Sequence, residues 1–372
     1  MIASAARIAA LSLGVLAWDA CADTSEALLR SGARVGVAAV GPEGVTLTAD
    51  GKPGKQVSLS EIRAVTGPLA QAFDANKPLA TELWRAMTRL KRGDDAGAEA
   101  ILARLWSSTK GGSGATRAEI AAGMTACLVH RGAFATAIEP WTEWIRSGST
   151  PEGEGKSIVP VADSQGPWIA ALPPVWIDSV AVRRLAERPL PAEDVAPNAG
   201  DDIERVYIVA ARRDTGQPWQ IDPAAALKKS SWASLPGEMV LAEAPDPAVR
   251  TEARAKLASR LTADSPLWKQ CWIRLALGRS KLMESAPDEK RGGVAQLLWI
   301  ASRPSANAAV TSLALLSAAE GLLALGDTEG AKAAMDDLSR RYSGAEILES
   351  PRASQIRQSL ATVAAGAPQE SK

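Results

Sequence analysis

One spacing recurs in this chain and narrows its folding options more than any other feature. Gly93-Asp94, Ala98 and Leu102 are matched by Gly132, Ala137 and Trp141, and again by Gly326-Asp327, Ala331 and Met335. Each set is a glycine, an alanine five residues on, and a large apolar side chain nine residues on. Each follows an apolar stretch of helical periodicity: Leu83, Trp84, Met87 and Leu90 before the first, Ile120, Met124, Cys127 and Leu128 before the second, and Leu315, Leu316, Ala319, Leu322 and Leu323 before the third. A glycine ends a helix by entering the left-handed conformation that other residues avoid. An alanine then lets the returning helix come close, and the large residue fills the groove between the two. The spacing therefore predicts helix, tight turn, helix over 79–147 and 307–342.

This order of glycine, alanine and large residue resembles the tetratricopeptide repeat, most fully from Leu315 to Met335. The chain departs from that family in two respects: its units are not contiguous, and the proline that closes each repeat is missing. The resemblance implies an α-solenoid, whose stacked helix pairs offer an extended surface to a protein or peptide partner and do no chemistry.

Helix starts are marked by a second device, a capping residue directly before proline, at Asp222-Pro223, Asp246-Pro247, Ser265-Pro266 and Ser350-Pro351. The side-chain oxygen accepts from an orphan amide, while proline occupies a position with no hydrogen bond to lose. Asp201 to Glu204 has the spacing of a capping box and reads as a further start. About eight helices are expected between 201 and 364. Residues 148–200 hold 8 of the 23 prolines, a density that reads as an extended connector. That connector carries Trp168, Leu172, Val175, Trp176 and Ile177, so Gly166 to Ile177 is expected to lie along the helices.

The first part of the chain follows a period of two. Val35 to Val40, Val45 to Thr48, and Val57 with Leu59 read as three strands of a meander, joined by Gly41-Pro42-Glu43-Gly44 and by Asp50-Gly51. Ser60-Glu61-Ile62 is expected to turn toward Ala64-Val65. The order of strands and glycine turns resembles the small SH3-like or Sm-like sheets of exported bacterial proteins. So small a sheet must pack on the helices that follow or on another chain.

Ahead of it, Arg7, an apolar run from Ile8 to Trp18 and the small-x-small Ala20-Cys21-Ala22 have the form of a secretory signal cleaved before Asp23. The run is far short of the ~20 residues that cross a bilayer as a helix. A lipidated Cys21 is the alternative reading.

Catalytic and metal chemistry find little to use. His130 is the single histidine, so a nucleophile–imidazole pair would have to use it, and its position at the end of an apolar helix suits a structural role. Ser113 lies in a glycine loop lacking the strand and second glycine of a nucleophile elbow. Three cysteines exclude a four-thiolate zinc site, and Cys127 and Cys271 read as buried thiols or as one disulfide. Lys+Arg and Asp+Glu are 42 each, which gives no net field to attract nucleic acid. Twelve tryptophans against two tyrosines and two phenylalanines are the compositional oddity. Trp141 with Trp144, and Trp268 with Trp272, are spaced to pack on one helix face. Trp168, Trp176 and Trp219, outside regular helix, are the candidates to meet a partner.

The sequence thus leads to a mainly α protein, a helical-repeat, solenoid-like body behind a small N-terminal antiparallel β-sheet. It divides into a signal (1–22), the sheet (23–68), repeat-like hairpins (69–147), the connector (148–200), a helical-repeat domain (201–364) and a tail (365–372). The expected role is a non-enzymatic interaction scaffold of the periplasm or envelope, without cofactor, metal or nucleic acid, binding a protein or peptide. Binding of an envelope glycan on exposed tryptophans is the alternative, and a hydrolase a more distant one.

Overall fold

The computed structural model describes residues 24–148, 161–163, 166–192, 199–303, 307–343 and 346–366. Among these the protein is mainly α, with fourteen helices behind a five-stranded antiparallel sheet. The segment 1–22, expected to be a leader, lies outside the described residues. Contacts divide the chain into two compact units, Met1–Ala133 with Glu139–Val159, and Phe134–Ile138 with Pro160–Lys372.

The sheet holds β1 (Ser25–Leu29), β2 (Arg34–Gly41), β3 (Gly44–Ala49), β4 (Lys52–Val57) and β5 (Ile62–Thr66), in the order β4-β3-β2-β1-β5. The meander of three strands is therefore two strands short. β1 sits between β2 and β5, pairing Ala27 with Val35 and with Val65. Its sequence, Ser-Glu-Ala-Leu-Leu, is rich in helix formers, and pairing on both sides overrides that local preference. Leu59, expected in a strand, instead opens a 3-10 turn (Leu59–Glu61) in which Ser58 Oγ accepts from the Ser60 amide. The turn leads the chain into β5, which holds Ala64 and Val65, so the turn expected at Ser60-Glu61-Ile62 lies one residue earlier.

Helices α1 (Ala70–Lys91), α2 (Asp95–Ser108), α3 (Gly114–His130) and α4 (Phe134–Arg146) follow. The sheet buries its apolar face, including Ala27, Val45, Leu59 and Ile62, against Phe73 and Ala80 of α1. It is also pinned to α3, because Thr116 Oγ1 accepts from the Leu59 amide at 3.1 Å and Gln56 Oε1 from the Ala115 amide at 3.0 Å.

The recurring spacing lands where its physics requires. Gly93, Gly132 and Gly326 take φ of +77, +79 and +80°, each directly after a helix. Ala98, Ala137 and Ala331 are fully buried, as are Leu102 and Trp141, with Met335 nearly so. Arg117 ties the start of α3 to the end of α4. Its guanidinium pairs with both Glu143 oxygens through Nε and Nη2, donates from Nη1 to the Trp106 carbonyl at 2.7 Å and to Thr109 Oγ1 at 2.9 Å, and lies 3.5 Å above the Trp106 ring. A buried arginine with this many partners is a structural brace.

From Pro160 on, the second unit holds a short hairpin, β6 (Val161–Asp163) and β7 (Gly166–Ile169), then α5 (Val180–Ala186) and α6 (Ala199–Asp214). The segment read as an extended connector thus contains a helix. Its prolines lie outside Val180–Ala186, and Ser179 caps α5 by accepting from the Val182 amide. Leu172, Val175 and Trp176 are buried. The Leu172 carbonyl accepts from the Tyr207 hydroxyl of α6, and the Ala170 carbonyl accepts from Trp272 Nε1 at 3.1 Å.

Eight helices follow: α7 (Pro223–Ala226), α8 (Leu235–Leu241), α9 (Pro247–Arg260), α10 (Leu267–Leu282), α11 (Pro287–Ala301), α12 (Ala308–Ala324), α13 (Thr328–Arg341) and α14 (Pro351–Gly366). Asp222, Asp246 and Ser350 accept from amides two or three residues on. Ser265 does not cap α10. Its hydroxyl bonds Thr262 instead, and the helix starts after Pro266 with no side-chain cap. Asp201 is inside α6, which starts at Ala199, and Glu204 pairs with Arg188 at 2.6 Å rather than closing a capping box.

Two features hold this unit's interior. Asp214, at the end of α6, lies among Arg213, Arg279 of α10 and Glu243, which follows α8. Arg279 reaches Asp214 at 2.7 Å and Glu243 at 2.8 Å, Arg213 reaches Asp214 at 2.8 Å and Glu243 at 3.3 Å, and the Trp176 amide donates to Asp214 at 2.7 Å. Two carboxylates and two guanidiniums make a neutral buried quartet. The second feature is close helix contact: a Cβ on Gly278 would stand 2.6 Å from Leu297 Cγ and 3.0 Å from the Gly293 carbonyl oxygen. α10 and α11 meet there backbone to backbone.

Candidate functional site

The residues that could carry covalent chemistry do not converge. Ser113 directly precedes α3 and His130 ends it, so some 17 residues at 1.5 Å rise separate them by about 25 Å. His130 Nδ1 instead faces Asp95 Oδ2 at 3.1 Å, which ties the end of α3 to the start of α2. Cys127 and Cys271 are free and buried, not paired. Burial, then the charges of Glu99 and Asp95, push the Cys127 thiol up to about 12. Because the thiolate is the reactive form, iodoacetamide at pH 8 is expected to leave Cys127 unmodified in the folded protein and to alkylate it fully in 6 M guanidinium chloride, as read by peptide mass spectrometry. Rapid labelling of the native thiol would contradict this burial. Among the described residues no group of three or more His, Cys, Asp or Glu side chains is placed to hold a metal ion.

The candidate tryptophans are scattered. Trp168 is in β7, and its side chain lies outside the described part of the structure. Trp176 is 5% exposed and packs edge-on against Tyr207 at 5.9 Å, which takes it off the surface expected of it. Its neighbours are apolar, so the proline-rich context that placed it outside regular helix did not keep it in solvent. Trp219 is half-buried, and its carbonyl accepts from Arg212. Trp141 and Trp144 are buried, and Trp268 and Trp272 meet edge to face at 5.1 Å, as their spacing predicts.

Trp84 is the exposed one among the described tryptophan side chains, at 39%. Its helical neighbours Leu83, Met87 and Leu90 are buried as a core stripe, so Trp84, grouped with them by sequence, stands off their face. The Arg30 guanidinium lies 4.3 Å over its ring. Arg30 is held there by Nε, which donates to the Ser60 carbonyl at 2.8 Å. Burial, and next the charge of Arg63, lower the Arg30 pKa.

Trp84 forms one wall of a groove between α1 and α2 of about 350 Å³. Ile101 and Thr88 line it, and Arg85, Arg89, Arg92 and Arg104 ring it. Arg104 reaches Glu82 at 3.6 Å and Arg89 reaches Asp94 at 2.9 Å. Arg85 and Arg92 have no acidic partner among the described residues. An apolar floor with an indole wall and guanidinium rim has the composition of a protein-recognition hot spot, where tryptophan and arginine are the enriched anchors. The groove's sequence signal was legible: Arg85, Arg89 and Arg92 lie at i, i+4 and i+7, on one face of a helix whose opposite face is core.

Comparison with known proteins returns no matching family, no matching curated protein and no matching solved structure.

Proposed function

We propose that this is a non-enzymatic interaction module, exported to the periplasm or cell envelope, that docks a protein partner in the groove between α1 and α2. The observation that carries the reading is Trp84. An indole that could have been buried with Leu83 and Met87 is exposed and pre-oriented under Arg30, beside Arg85 and Arg92, which have no acidic partner among the described residues. Holding large rings rigid before contact lowers the ordering cost of association, so such a wall favours binding. The leader-like residues 1–22 support the address, and among the described residues no helix is long and apolar enough to cross a membrane.

A photo-crosslinking amino acid at Thr88 tests it in cells. One discrete adduct is expected from Thr88, lost on Trp84→Ala, with none from the same probe at the exposed Val180 of α5. Adducts that survive Trp84→Ala, or that form equally at Val180, would overturn the groove as the docking site.

A further inference from the structure

We propose that the partner segment seated in this groove is acidic, an extended peptide whose carboxylates pair with Arg85 and Arg92 while an apolar side chain between them packs on Trp84 and Ile101. The inference rests on the docking reading and adds the chemistry of the occupant. Three observations carry it.

First, the rim is cationic beyond its own compensation. Arg89 and Arg104 have Asp94 and Glu82, whereas Arg85 and Arg92 face solvent with no acidic partner among the described residues. The chain as a whole is neutral, 42 cationic against 42 acidic residues, so this excess is local and marks one place on the surface. Complementary charge at a binding site selects partners more than it adds raw affinity.

Second, Arg30 is prepared for an anion. Its Nε is committed to the Ser60 carbonyl and its plane to the Trp84 ring beside the groove, so the guanidinium is held in one orientation. A guanidinium held flat presents the fork that a carboxylate accepts in two parallel hydrogen bonds.

Third, the spacing suits an extended chain. Arg85 of α1 and Arg92, the residue that caps the end of α1, are seven residues apart, about 10 Å at 1.5 Å per residue. A peptide in the polyproline conformation repeats its facing side chains every three residues, about 9 Å. Two glutamates spaced i, i+3 therefore reach both arginines, with the leucine between them over the apolar floor.

Fluorescence anisotropy on the full chain tests this with three labelled peptides: Pro-Glu-Leu-Pro-Glu-Leu-Pro, its Glu→Gln counterpart and its Glu→Lys counterpart. The acidic peptide is expected to bind at least tenfold more tightly than the glutamine peptide, with no binding of the lysine peptide. Its affinity should fall several-fold between 50 and 500 mM NaCl, as exposed charge pairs are screened. Arg85→Glu with Arg92→Glu should abolish the preference, while Arg85→Lys with Arg92→Lys retains part of it; both positions are exposed, so these substitutions leave the core intact. Equal binding of the acidic and glutamine peptides would overturn the inference, as would indifference to the charge reversal. So would charge-dependent binding to phosphatidylserine vesicles with none to the acidic peptide. If the Thr88 adduct persists in the Arg85→Glu, Arg92→Glu variant, docking in the groove stands and the acidic occupant falls. If Thr88 yields no adduct while the acidic peptide binds as expected, the chemistry stands and the cellular docking reading falls.

Discussion

Replacing Arg279 with methionine is expected to cost the second unit about 4 kcal/mol of stability, the range for removing one partner of a buried charge pair. Arg279 is shared between Asp214 and Glu243, at 2.7 and 2.8 Å. Without it, two carboxylates remain in an interior that holds one guanidinium, Arg213. Methionine keeps most of the side-chain volume, so the loss reports charge rather than a cavity. Urea denaturation followed by circular dichroism measures it, and a loss below 1 kcal/mol would show that the quartet contributes little. Pairing Arg279→Met with Glu243→Gln restores a one-to-one balance and should recover at least half of the loss.

The quartet also sets a pH dependence. Burial alone would raise the Asp214 carboxyl, but Arg213, Arg279 and hydrogen bonds from Arg213 and the Trp176 amide outweigh it and hold it at about 2, below the ordinary 3.8. A depressed carboxyl stabilises the fold fully above the ordinary value, and that contribution, about 2 kcal/mol, is lost as pH falls toward 2. In Arg279→Met the carboxyl moves up, so acid unfolding should begin at a higher pH than in the parent protein. An unchanged acid midpoint would separate Asp214 from acid stability.

Gly278→Val is expected to be nearly as damaging, at about 3 kcal/mol, for an unrelated reason. The added Cβ would stand 2.6 Å from Leu297 Cγ and 3.0 Å from the Gly293 carbonyl oxygen, and backbone gives way only by moving α11. The contrast is Gly326→Ala. Its Cβ would meet nothing within 4 Å, so the cost is that of a left-handed alanine, about 1 kcal/mol. Equal losses in the two variants, measured by the same denaturation, would show that α10 and α11 separate without strain.

These two glycines mark the division in what could be read. Gly326, with Gly93 and Gly132, announces itself: it sits between two apolar helical stretches, and the alanine and large residue that follow are spaced by the helix itself. Gly278 and Gly293 lie inside helices with no local signature, and their reason is the other helix. The groove divides the same way. The arginine stripe of α1 is visible at i, i+4, i+7, but that Trp84 leaves the core stripe and that Arg30, 54 residues earlier, lies on its ring are consequences of packing the sheet against α1. Trp176 errs in the opposite direction, because prolines argued for exposure and Tyr207 supplied a wall.

What the sequence determined by itself is the local geometry: where helices stop, which alanines permit close return, which of Asp222, Asp246 and Ser350 begin a new helix. Those outcomes depend on backbone conformation and on neighbours within a turn or two, and both are written in consecutive residues. Tertiary structure alone decided the five-strand order that places Ser25–Leu29 in mid-sheet, the pairing of Asp214 with arginines from two helices, and the exposure of Trp84. Each depends on groups far apart in the chain, whose burial and charge balance exist only once the elements have packed.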